Sequence, residues 1–110
     1  MAKGSQLGLI IHQADVPMLP RVRELAENGF VPGGTKNNFA HLEGSILYPD
    51  EMDQIDRYIL CDAVTSGGLL ISIAEDQSVE LLNQLKDAGV EAALIGEVTN
   101  DHPGQILVIA

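Results

Sequence analysis

Cys61-Asp62-Ala63-Val64-Thr65-Ser66-Gly67-Gly68-Leu69-Leu70-Ile71 joins an apolar-periodic segment to a strongly β-prone run through Thr-Ser-Gly-Gly. Two adjacent glycines before a strand give backbone angles that other residues avoid, and they admit a second backbone or a ligand at close range. Consecutive amides in such a turn can also form a concave nest for an anion. A tight helix-to-strand connection would use the same residues, so what surrounds the turn has to decide between the two.

Downstream, Leu69 to Ala74 is apolar on both faces and predicts a central, covered strand. Asp76 or Ser78 is placed to cap the next helix, whose stripe is Val79, Leu82 and Leu85, and Gly89 stops it. Val90 to Val98 predicts a strand with a bulge or close approach at Gly96. Asn100-Asp101-His102-Pro103-Gly104 then reads as a turn into a last strand, Gln105 to Ile109, the two strands forming a hairpin.

Upstream, Leu7 to His12 predicts the first strand, and Leu19, Val22, Leu25 and Ala26 give a short helix stopped by Asn28-Gly29. Pro20 suits that helix's first turn. A second glycine turn follows at Val31-Pro32-Gly33-Gly34, with Thr35 as N-cap of a helix carrying Phe39, Ala40 and Leu42. Free amides at that helix start could hold a phosphate or carboxylate, with Lys36 to assist, or the glycines could simply reverse the chain. Ser45 to Tyr48 predicts a strand. Asp50, Glu51 and Asp53 then favour a helix start whose buried side is Met52, Ile55 and Ile59. Residues 1–6 read as a leader or disordered segment and residues 7–110 as a single α+β domain, a mixed β-sheet flanked by helices.

Sixteen acidic against six basic residues give a net charge of −10, a field that repels nucleic acid and anionic membranes. No apolar run reaches the ~20 residues of a spanning helix. Cys61 is the lone cysteine, which fits a reducing, cytoplasmic setting, and it reads as a small buried apolar residue. His12, His41 and His102 lack metal-ligand spacing, Ser66 lacks a Gly-x-Ser-x-Gly elbow, and no Walker-type loop occurs. The chain is expected to carry no catalytic residue, metal ligand or cofactor of its own.

The order Val31-Pro32-Gly33-Gly34-Thr35-x-x-Asn38, then Asp62-x-x-Thr65-Ser66-Gly67-Gly68-Leu69-Leu70-Ile71, then Ile95-Gly96-Glu97-Val98 resembles the C-terminal domain of selenophosphate synthetase (selenide, water dikinase). That enzyme belongs to the aminoimidazole ribonucleotide synthetase superfamily. The resemblance implies a mixed sheet with partly ferredoxin-like topology. It also implies an ATP- and magnesium-dependent parent enzyme making selenophosphate from selenide, with AMP and phosphate as the other products. The reactive residues of the family lie upstream, so the implied partner is an N-terminal nucleotide-binding half, and this chain alone would be inactive. Gly33, Gly34, Thr35, Asn38, Asp62, Thr65, Ser66, Gly67 and Gly68 become the candidate ligand-facing residues. Ala63-Val64 stand where the family has Pro-Gln or a related polar pair, which removes an amide donor and acceptor from the turn. An ATP-dependent relative with another substrate, a stand-alone anion or small-molecule binding module and a plain interaction domain are the alternatives. Apolar surface left uncovered would drive self-association, a homodimer.

Overall fold

A computed structural model describes all residues, 1–110. Its centre is a four-stranded mixed sheet of β1 (Gly8–His12), β2 (Ile46–Leu47), β3 (Gly96–Thr99) and β4 (Ile106–Ile109), in the order β2-β4-β1-β3. β4 runs parallel to both β1 and β2, and β3 runs antiparallel to β1. The helices are α1 (Ala2–Ser5), α2 (Val22–Glu27), α3 (Gly33–His41), α4 (Gln54–Leu60) and α5 (Glu75–Asp87). The α+β class and the mixed sheet are as the sequence predicts.

β1 and β4 form the interior of the sheet because their residues are aliphatic, and Leu9 and Val108 are buried there. Burying each such side chain contributes about 1.5–3 kcal/mol. β1 is also hemmed in by backbone. A Cβ on Gly8 would lie 1.9 Å from the Asp101 carbonyl oxygen, and one on Gly96 would lie 1.9 Å from that of Ile10. The close approach expected at Gly96 is therefore real, and Gly8 supplies a second one.

Several local readings are corrected. The last two strands do not form a hairpin: β1 lies between β3 and β4, so the 100–104 turn spans a strand instead of joining neighbours. The strand predicted over Val90–Val98 is reduced to Gly96–Thr99. Leu69–Ala74 forms no strand; Leu69, Leu70 and Ile71 are 91%, 55% and 51% exposed, and no residue from 63 to 73 makes a backbone–backbone hydrogen bond. Apolarity and β-propensity are local properties, whereas a strand needs a paired edge. α5 begins at Glu75 after Ala74, and Ser78 donates back to the Glu75 carbonyl rather than capping. α2 starts only at Val22, after Arg21 at φ 67°. Residues Ala2–Ser5 form the helical turn α1, with Ala2 buried.

α2 and α4 are tied together by charge. Arg23 on α2 pairs with Asp53 and Asp56 at the start of α4, and with Glu27 on its own helix. Asp53 caps α4 by accepting from the Asp56 amide at 2.8 Å. That backbone donor, then Arg23, holds the Asp53 carboxyl below its usual range. A depressed folded-state pKa contributes stability above the unfolded carboxylate value, and the contribution is lost as pH falls through the folded one. Denaturant midpoints are therefore expected to drop as pH falls below about 4, and Arg23→Ala should flatten that drop. An unchanged acid profile in the variant would show that the pairs do not couple to folding.

Candidate functional site

The first glycine turn meets the residues that lead into the second, Cys61 to Ala63, at the start of α3. Pro32 precedes the helix in an extended conformation, so Gly33, Gly34 and Thr35 are its first three residues. Thr35 is therefore not the N-cap that its residue type suggests. It is the third residue of the helix, 1% exposed, and its hydroxyl donates to Asp62 Oδ1 at 2.6 Å. One turn along, Asn38 Nδ2 donates to the Cys61 carbonyl oxygen at 3.1 Å. Spacing of three on a helix puts both side chains on one face, so α3 grips two consecutive residues of the Cys61–Ile71 stretch. Gly34 completes the contact, since a Cβ there would stand 3.1 Å from the Ala63 Cβ.

Of the nine candidates, Gly33, Gly34, Thr35, Asn38 and Asp62 are thus brought together. Thr65, Ser66, Gly67 and Gly68 lie just beyond, all exposed; a Cβ on Gly67 would meet only Val64, and one on Gly68 nothing within 4 Å. The first amides of α3 have no intrahelical acceptor. Asp62 takes its one side-chain hydrogen bond from Thr35, which leaves its second oxygen available as an acceptor. Lys36 is exposed and forms no ion pair. The site can therefore offer amide donors, one carboxylate oxygen and one free ammonium.

Beside it, α2, α3 and α4 enclose a cleft of about 180 Å³, lined by Val22, Leu25, Phe30, Tyr58 and Ile59 with Thr35 and Asp62 at its polar end. The sequence reading passed over this cleft. Helical spacing placed Val22 and Leu25 on an apolar face but could not say what that face would meet.

Cys61 is buried, as its sequence context suggests. Its thiol lies 3.3 Å from the Tyr48 hydroxyl. Burial, followed by that hydrogen bond, pushes the Tyr48 phenol well above its usual range. Arg57 stacks over the Tyr48 ring at 5.3 Å and donates to the Pro49 carbonyl oxygen, while Phe39 meets Tyr58 edge-on at 5.4 Å. Three of the four aromatics in the chain thus brace the floor beneath Cys61 and Asp62. No three His, Cys, Asp or Glu side chains converge as metal ligands. No helix is long and apolar enough to cross a membrane.

A family model, "AIR synthase related protein, C-terminal domain", matches residues 1–109. The chain belongs to that family. Curated relatives include the selenide, water dikinase of Myxococcus xanthus, 45% identical over 89 residues that make up 81% of this chain and 25% of the relative. That of Photorhabdus laumondii is 37% identical over 108 residues, 96% of this chain and 29% of the relative. That of Rhizobium meliloti is 34% identical over 110 residues, covering 100% of this chain and 32% of the relative. The chain therefore spans a quarter to a third of the length of these relatives.

Proposed function

We propose that this chain is the C-terminal domain of a selenophosphate synthetase-like enzyme. It would complete, with a nucleotide-binding half, the cleft in which ATP, selenide and water give selenophosphate, AMP and phosphate. The observation that carries the reading is the Thr35–Asp62 hydrogen bond. It joins the two motifs on which the family resemblance rests, bringing the Asp62 carboxylate to the first turn of α3. Relatives named selenide, water dikinase support the same reading.

The residues present do not fit magnesium-bound ATP by themselves. Phosphoryl transfer from ATP needs clustered carboxylates on the metal and cations on the phosphates. Here no metal-ligating cluster forms, and Arg21 and Arg23 are committed to carboxylates. No catalytic step is assigned to this chain; its proposed part is to wall the cleft and keep water out. It would work inside a cell, beside that half.

Isothermal titration of the chain with ATP, ADP and phosphate, with and without magnesium, tests this. No binding is expected, because these turns would form one wall of a two-walled site. Binding that Gly67→Val abolishes would overturn the proposal in favour of a self-sufficient anion-binding module.

A further inference from the structure

Asn28-Gly29, the pair that stops α2, is also the one place where an asparagine precedes a glycine; Asn37, Asn38, Asn83 and Asn100 are followed by larger residues. An asparagine so placed can modify itself, because glycine has no side chain to block the approach of its own backbone nitrogen. The Gly29 nitrogen attacks Asn28 Cγ, the bond from Cγ to Nδ2 breaks, and the side-chain nitrogen leaves as ammonia with the proton of the Gly29 amide. Water then opens the cyclic imide at either carbonyl, giving aspartate or a β-linked isoaspartate. Nothing but water is consumed.

The folded chain holds the reacting atoms apart. Asn28 is at φ −80° and ψ 6°, so the Gly29 nitrogen eclipses the Asn28 nitrogen, whereas ring closure needs it to eclipse Cβ. Gly29 takes φ 88°. Its N–H donates to the Ala26 carbonyl at 2.9 Å, and that of Phe30 donates to the Leu25 carbonyl at 3.0 Å. Those two bonds around a left-handed glycine make a Schellman cap. The leaving group is occupied as well, since Asn28 Nδ2 donates to the Glu24 carbonyl at 2.7 Å. Leu25 and Phe30, the positions whose side chains such a cap brings together, both line the cleft beside Thr35. α2 has only six residues, too few to stand alone, and Arg23 ties it by charge to α4.

We infer that Asn28 is a self-modification site kept shut by the α2 cap, and that opening of α2 commits the chain to a product that cannot rebuild the cap. Aspartate at position 28 has no donor for the Glu24 carbonyl. Its charge would stand one residue after Glu27, at the C-terminal end of the helix, where a negative group is unfavourable. Isoaspartate adds a backbone carbon between residues 28 and 29, which breaks the spacing of the Gly29 and Phe30 bonds. Either product loosens the α2 wall of the cleft and carries the net charge beyond −10. The change runs one way, because the ammonia is lost. This inference is independent of the proposed function, since it rests on no ligand.

Peptide mapping by mass spectrometry during incubation at neutral pH tests the site. Conversion at Asn28 is expected to be at least about tenfold slower in the folded protein than in the same chain unfolded in urea. That ratio should match the hydrogen-exchange protection of the Gly29 amide, because one opening frees the same nitrogen for both. Arg23→Ala should speed conversion at least about twofold in the folded protein and leave the rate in urea unchanged. Asn28→Asp should lower the denaturant midpoint. Equal rates in the folded and unfolded protein would overturn the inference, as would a folded rate indifferent to Arg23. An Asn28→Asp midpoint equal to the parent's would overturn it too, by showing that the product keeps the cap. If Arg23→Ala does not fold, the match between rate ratio and Gly29 protection in the parent protein decides, and a mismatch of tenfold or so rejects the site.

Discussion

Gly96→Ala is expected to leave the chain without a stable fold. A methyl group there would lie 1.9 Å from the Ile10 carbonyl oxygen and 2.9 Å from its carbon, both fixed parts of a neighbouring strand. No rotamer change relieves a clash with backbone, so β1 and β3 must separate, and β1 is the strand against which β4 also pairs. A cost of about 4 kcal/mol or more belongs to the exceptional class of substitutions. A domain this size has only about 5–15 kcal/mol in total. Gly8→Ala should behave alike, because its Cβ would meet the Asp101 carbonyl oxygen. Gly4→Ala is the control, since nothing lies within 4 Å of the added carbon and its φ is not left-handed. Thermal unfolding followed by circular dichroism reads all three. A cooperative transition of Gly96→Ala within a few degrees of the parent would show that β1 and β3 are not held at this spacing.

Thr35→Val carries the second largest effect. The two side chains are nearly the same shape, so the change removes the hydroxyl and little packing. Thr35 is the one large side chain buried below 2% exposure, and its donor satisfies Asp62 across 27 residues of sequence. Removing one partner of a part-buried bond to a carboxylate costs about 1–3 kcal/mol. The loss should appear in the denaturant midpoint with little change in slope. Asp62→Asn keeps an acceptor for Thr35 and should cost less. If the two variants destabilise equally, the charge on Asp62 rather than the hydroxyl contact holds α3 to the Cys61–Ile71 stretch. In the selenophosphate synthetase-like enzyme proposed above, Thr35→Val would be expected to weaken substrate binding as well, because it frees the turn that the bond positions.

The first glycine turn and the second were both visible in the chain, and so was the reason to suspect them. Gly33-Gly34 and Gly67-Gly68 are rare pairs flanked by polar residues, and their residue order carried the family resemblance. Helix content was legible where polar and apolar residues alternate with helical period and a stop signal follows, as at Asn28-Gly29 and Gly89. The close approach at Gly96 could be read from an isolated glycine inside a β-prone run. Burial of Cys61 followed from its position after Ile59-Leu60.

Long-range pairing was not legible, because which edge meets which is set by residues far apart in the chain. A hairpin between β3 and β4 was the natural expectation from a five-residue turn, yet β1, almost ninety residues earlier in the chain, occupies the place between them. Thr35 is a good N-cap by type, but α3 begins two residues sooner and makes it a buried donor instead. The apolar run after Gly68 carries every local mark of a strand and still has no partner. By itself the sequence determined the α+β class, the glycine turns and the acidic character of the domain, since composition, propensity and turn chemistry are properties of neighbouring residues. Tertiary structure alone decided the strand order, the meeting of Thr35 with Asp62 and the open edge of β3, since these depend on contacts whose partners lie tens of residues apart.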